Sequence, residues 1–266
     1  MKPSIEVLVT SVRQEAPLEL YERMNLAGNL LISNQGPRAE FGSWQRGTAR
    51  IRMISTNTVG VGINRNLGLS YCDADICLLA DDDMIYVDGY EDMVRAAYQR
   101  HPDADVIIFD VRSLNPDRPL GEVPRSKRAT RFDLAQLGIH GVAAKIDSLR
   151  RANIWFSPLF GGGTRHGSGE DALFLQDLLK KGLRVYLCAD TIAHATQADS
   201  TWFKGFSYKY FFDKGALWAA TYPEFSTLIA LRSSLRYRYL RGVRRPPFWR
   251  MYRTMLRGAR EFRRRS

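Results

Sequence analysis

Residues 75–83 read DICLLADDD, an apolar run of strand length that ends in three consecutive carboxylates, Asp81, Asp82 and Asp83. Neighbouring like charges repel and raise one another's pKa, so folding alone gives no reason for the triplet. The run is one of a series. IEVLVT (5–10), NLLIS (29–33), IRMIS (51–55) and DVIIFD (105–110) have the same buried-strand character, and helical patterns at about 17–27, 62–72 and 89–100 lie between several of them. Asp88, with Glu91 three residues on, has the spacing of a capping box and predicts the start of the third helix. Strand–helix alternation of this kind predicts an α/β fold with a doubly wound, mostly parallel sheet. Ligands of such sheets bind beyond the carboxyl ends of the strands, which makes the three aspartates a ligand position.

Further along, residues 112–132 are polar, basic and proline-containing and predict a long surface loop. GIHGVAAKIDSLRRANI then reads as a short strand and a helix, and WFSPLFGGGTRHGSG as a glycine-rich loop. EDALFLQDLLKKG reads as a helix closed by Gly182, and LRVYLCA (183–189) as another strand. Ser168 and Asp171 have capping-box spacing, and acids favour helix N-termini, so Glu170 and Asp171 are placed at a helix start whether or not they act chemically.

The 266 residues, 45% hydrophobic and 11% aromatic, suffice for one large domain with a proper core. Cys72, Cys77 and Cys188 form neither a CxxC pair nor a zinc-ligand spacing and read as buried small hydrophobes in a reducing, cytoplasmic setting. The first apolar stretch is short and contains Glu6, unlike a signal peptide, and no apolar run reaches the roughly 18–20 residues of a membrane span. The net charge of +11 is uneven: residues 225–266 hold 13 Arg against the single acid Glu261. The expected organisation is a catalytic domain over 1–224 and a basic, amphipathic helical tail over 225–266. In the tail, Phe248, Trp249, Tyr252, Met255, Leu256 and Phe262 fall roughly on one face of a helix and arginines occupy much of the rest. That pattern fits an anionic membrane surface at the inner face of the cell membrane, or packing on the domain, better than nucleic acid.

An Asp-x-Asp at a strand end suits a divalent ion bridging a diphosphate, because magnesium and manganese favour carboxylate, phosphate and water oxygens. A solvated acidic turn is the plain alternative. A lone histidine such as His194, just past the last strand, is more often structural than a ligand. Taken together and in this order, Asp81-x-Asp83, Gly169-Glu170-Asp171-x-x-Phe174 and His194 resemble the inverting family-2 glycosyltransferases of the glycosyltransferase-A fold. NTVGVGINRNLGL (57–69) resembles the family's Gly-x-…-Arg-Asn-x-Gly segment. LLISNQG and DSTWFKG resemble stretches of bacterial capsule and exopolysaccharide members. The first strand departs from the family in lacking its frequent Pro-Thr-Tyr/Phe-Asn.

The resemblance, over about residues 5–220, implies a single glycosyltransferase-A domain and a set of roles. Thr10, Asn34 and Gln35 fall where the nucleotide base is met, Arg65 near the nucleotide, Asp81 near the donor ribose, and Asp82 beside it as an assistant. Asp83, with Asp81 and His194, falls at the Mn2+ or Mg2+ on the diphosphate. Asp171 matches the general base, and Glu170 a group that positions base or acceptor. The implied activity is inverting, hexosyltransferase-type transfer from a nucleoside-diphosphate sugar, UDP-sugar by family expectation. The acceptor is a glycan or lipid-linked sugar hydroxyl in polysaccharide biosynthesis. The competing readings are a sugar-phosphate nucleotidyltransferase, disfavoured because GGGTR (161–165) lies mid-chain instead of after the first strand, and a non-catalytic module binding membrane or nucleic acid.

Overall fold

Strands form where apolar side chains can be buried on both sheet faces. In the computed structural model, which describes residues 2–197, 205–239 and 246–265, the order begins β1 (Ile5–Val12), α1 (Pro17–Arg23), β2 (Asn29–Gln35), β3 (Glu40–Arg46) and β4 (Ala49–Thr56). It continues α2 (Val61–Tyr71), β5 (Ile76–Asp81), β6 (Met84–Tyr86), α3 (Tyr90–Arg100) and β7 (Val106–Ser113). Next come β8 (Lys127–Arg128), α4 (Arg131–Leu134), β9 (Val142–Lys145), α5 (Ile146–Arg151), α6 (Glu170–Lys180) and β10 (Val185–Ala195). Three helices close the chain: α7 (Tyr208–Thr221), α8 (Ser226–Arg238) and α9 (Phe248–Arg265).

One sheet runs β3-β4-β2-β1-β5-β9-β7-β10-β6, with β8 beside β10. The pairings β4–β2, β2–β1, β1–β5 and β7–β10 are parallel. The strands β3, β6, β8 and β9 run against their neighbours. Alternating residues of β1 feed two cores: Val7 and Val9 pack with Leu20, Met24 and Val94 on one side, and Leu8 with Leu31, Leu69 and Phe174 on the other. Both faces are therefore covered, as the apolar runs require. Glu6, the acid within the first run, is fully buried and pairs with Arg52 of β4 at 2.7 Å. The chain turns to opposite sides of β1 to reach β2 and β5, so the carboxyl ends of β1 and β5, with Thr10 opposite Asp81, flank a switch-point crevice.

Several local expectations change. The helix α3 starts from Gly89 in a left-handed conformation (φ 76°) with no side-chain cap; Asp88 instead accepts a hydrogen bond from Asn25, and Glu91 pairs with Arg95. The capping box at Ser168 is absent too, because Gly169 (φ 120°) is the N-cap of α6. A capping box does form where none was expected, between Thr130 and Asp133 at the start of α4, at the end of the stretch read as loop. The stretch DSTWFKG lies outside the described residues except for Gly205.

The tail helix forms over 248–265, but its apolar face is occupied. Met251 and Met255 pack with Phe211 of α7 and Ala230 of α8, and Phe262 contacts Phe160. Crossing of α7 and α9 requires two glycines: a Cβ on Gly215 would lie 1.9 Å from the Met255 carbonyl oxygen, and one on Gly258 2.0 Å from that of Phe212. Most of that face of α9 therefore packs on protein, and Trp249, at its start, stays 64% exposed. Among the described residues no helix is long and apolar enough to cross a membrane.

Candidate active site

A cleft of about 700 Å³ opens at the carboxyl ends of β1 and β5. It is lined by Thr10, Ser11 and Gln35 of the first two strands, by Asp81, Asp82 and Asp83, and by Gly167, Ser168, Glu170 and Asp171. Asp83 and Asp171 thus share a cavity despite their distance in sequence. Arg118 and Gln197 also line it.

Arg65 binds the two acidic groups together. It sits on α2, almost fully buried, with its guanidinium 5.2 Å above the Phe156 ring. One terminal nitrogen lies 3.0 Å from Asp81 Oδ1; the other is 2.5 Å from Asp171 Oδ1 and 3.6 Å from Glu170 Oε1. Burial opposes its charge, but Asp171, Asp81 and Glu170 outweigh that and hold its pKa above the usual arginine value. Burial likewise opposes ionisation of Asp81, and Arg65 and His140 more than compensate, so its pKa is lowered. His140 Nδ1 is 3.5 Å from Asp81 Oδ2. Glu170 is pushed up to about 7 by burial and by the adjacent Asp171.

Not every residue singled out in the sequence reaches the cleft. Thr10, Gln35, Arg65, Asp81, Asp82, Asp83, Glu170 and Asp171 line it, and Gln35 Nε2 is buried there without a hydrogen-bond partner among the described residues. Asn34 is absent from the lining. Its amide is engaged within the protein, accepting from the Gln14 N–H and donating to Ser55 Oγ, both at 2.9 Å. It ties the turn after β1 to β4. His194 lies within β10 opposite Ile85 and is also absent from the lining. Asp82 accepts from Ser11 Oγ, which fixes it to β1.

The glycine-rich loop is clamped from two directions. Gly161 and Gly163 have positive φ, Val61 at the start of α2 donates to the Gly162 carbonyl at 3.0 Å, and a Cβ on Gly161 would collide with Val61 and Glu170. From the other side, Asp213 of α7 bonds His166 Nδ1 at 3.0 Å and accepts from the Gly167 N–H at 3.1 Å, while Lys209 pairs with the same carboxylate. Arg165 pairs with Glu261 of α9 at 2.6 Å. His140, His166 and Asp213 were not singled out in the sequence. Each is a lone residue outside any spaced motif, and its partner is distant in the chain.

The donor chemistry here fits a hydrated magnesium or manganese ion. Burial and the charges of Asp81 and Asp82 raise the pKa of Asp83, so its carboxylate faces the cleft short of compensating positive charge, whereas Arg65 engages Asp81. Among the described residues no three His, Cys, Asp or Glu side chains converge into a cage. The protein would supply one or two carboxylates, with phosphate and water completing the shell.

The fold and this cleft define a glycosyltransferase-A fold. S. aureus TarS 1–349 in complex with UDP-GlcNAc superimposes with a TM-score of 0.64 at 13% identity, over 99% of this chain and 92% of that one. The complex of TarS 1–349 with UDP gives 0.58 at 14%, over 82% of this chain and 65% of that one. In a further TarS structure, at 0.57 and 14%, this chain spans 44% of the other. No protein-family model matches the sequence, and no curated protein matches it.

Proposed function

We propose that the protein is a metal-dependent, inverting glycosyltransferase that moves a sugar from a nucleoside-diphosphate sugar to a saccharide or lipid-linked saccharide hydroxyl. The observation that carries this reading is one cleft holding Asp81–Asp83 and Glu170–Asp171, joined through Arg65. The likeness to TarS, crystallised with UDP and UDP-GlcNAc, supports a uridine donor as the first to test.

In the proposed reaction the nucleoside lies over Thr10 and Gln35, whose unpartnered Nε2 offers a donor to the base. Asp83, assisted by Asp81, would hold a magnesium or manganese ion, which would supply charge neutralisation to the leaving diphosphate. Asp171 takes the proton of the acceptor hydroxyl as that oxygen attacks the anomeric carbon from the face opposite the diphosphate. The new carbon–oxygen bond forms as the bond to the phosphate oxygen breaks, the electron pair leaves with the nucleoside diphosphate, and the configuration inverts. Glu170 orients the acceptor beside Asp171. Arg65 holds one oxygen of Asp171 and so fixes its direction. The aspartate triplet is explained by the chemistry it faces.

The test is a panel of nucleotide sugars incubated with manganese, with release of nucleoside diphosphate as the signal. Wild type is expected to turn over one or a few donors, with loss of the signal on chelation. Asp171→Asn is expected to keep donor affinity by calorimetry and lose roughly 10²–10⁴ in rate. Near-normal transfer by a folded Asp171→Asn protein removes the base assignment, and no turnover of any donor removes the reading itself.

A further inference from the structure

Helix α8 is built inside out. Its inward side carries three small residues beside one large one: Ser226 and Ser234 are 1% and 0% exposed, Ala230 packs against Met251 and Met255 of α9, and Tyr237 packs against the same cluster. Its outward side carries large ones, with Leu228 64%, Leu235 41% and Tyr239 73% exposed, and Phe225 exposed just before the first turn. At 3.6 residues per turn, Leu228, Leu235 and Tyr239 fall within about 40° of one another, on the side away from the serines. A helix folded against protein in water ordinarily buries its leucines and leaves its serines outside. The small inward side has a reason of its own, since it lets α8 approach α7 and α9 closely. The apolar outward stripe has none within the described chain.

The charge around the stripe indicates its occupant. Arg232 and Arg236 are exposed on the same half of the helix, and no acid occurs between Phe225 and Tyr239. We propose that this face of α8 docks on the surface of an anionic lipid bilayer. The leucines and the tyrosine ring would enter the headgroup–acyl boundary, and the arginines would reach the lipid phosphates. A second copy of the chain fits less well, because a two-fold contact through this stripe sets the same arginines against each other. The apolar face of α9 offers less, being packed on α7 and α8 apart from Trp249 at its start. The proposal does not depend on sugar transfer.

Flotation of the full chain with phosphatidylcholine vesicles, with and without phosphatidylglycerol, tests it. Binding is expected only to the anionic vesicles. Leu228→Ser with Leu235→Ser should abolish it, Arg232→Gln should weaken it roughly five-fold, and none of these should change circular dichroism or donor turnover. Absence of binding to anionic vesicles overturns the proposal. So does binding that survives the leucine double variant but is lost in Arg253→Gln/Arg257→Gln, which would move the contact to α9. Self-association by ultracentrifugation that the leucine double variant breaks, without vesicle binding, makes the occupant a second copy and also overturns it.

Discussion

Arg65 is a buried cation paired with three cleft carboxylates, and its loss would leave Asp81, Glu170 and Asp171 facing one another. Removing one partner of a buried pair strands the other charges, at a typical cost of about 3–5 kcal/mol. Arg65→Met is therefore expected to lower the unfolding free energy by about that amount at neutral pH, read from urea denaturation, with donor turnover lost as well. A loss below about 1 kcal/mol would mean that the cleft solvates these carboxylates without it. Glu170 makes a separate pH prediction. Its folded pKa, about 7, lies above the ordinary glutamate value, so the folded state holds an extra proton across that interval. Its contribution is fully present below the unfolded pKa and is lost as pH rises through about 7. His140, also raised despite its burial because Asp81 faces it, acts in the same direction. The melting temperature should fall from about pH 5 to about pH 8, and Glu170→Gln, which mimics the protonated form, should flatten that fall. An unchanged slope in Glu170→Gln would remove the glutamate from the account.

At the scale of elements, the loop over 161–169 depends on α7. Asp213 supplies an acceptor to both the His166 ring and the Gly167 N–H, and its own pKa is lowered because these bonds and Lys209 outweigh its burial. Asp213→Ala leaves the buried His166 ring nitrogen unpaired, at a cost of about 1–3 kcal/mol, and releases the exposed Gly167 N–H to water. The expected result is a lower melting temperature and faster hydrogen exchange at loop amides, with acceptor KM rising more than donor KM. Equal exchange in variant and wild type would show that the α2 contact alone shapes the loop. These elements also show what the sequence could reveal. The strands β1, β2, β4, β5, β7 and β10 were legible because burial on both faces leaves continuous apolar runs. The strand β3 was not: most of its side chains face solvent, and an antiparallel edge strand has no apolar pattern to read. Asp81, Asp83, Glu170 and Asp171 were legible from their places at a strand end and a helix start. His166 and Asp213 were not, because their role is a contact between residues 47 apart. The bonds of the Asn34 amide to Gln14 and Ser55 were not legible either, because they join residues about 20 apart.

For the whole molecule, composition places a boundary near residue 225, where the charge changes from nearly neutral to strongly basic. Packing distributes the same region differently. On one side, Ala216 and Leu217 of α7 pack with Phe160 of the glycine loop and Leu173 of α6. On the other, Phe211 packs with Met251 and Met255 of α9 and Ala230 of α8, and Gly215 and Gly258 bring the two helix backbones into contact. Charge and core therefore divide the chain at different places, because charge is set by the exposed face of a helix and the core by its buried face. A chain ending at residue 224 would keep every carboxylate of the cleft but expose the Phe211 side of α7 and leave Arg165 without Glu261. Large buried side chains stripped of their partners cost about 2–5 kcal/mol each, comparable with a domain's whole stability. The truncated protein is expected to melt well below the full chain, to bind a hydrophobic dye, and to lose acceptor-dependent transfer before donor hydrolysis, since the loop wall depends on α7 while Asp83 is carried on the β5 side. A fragment over 1–224 with full-length melting temperature and transfer rate would instead make residues 225–266 a separable appendage, as their charge alone implies.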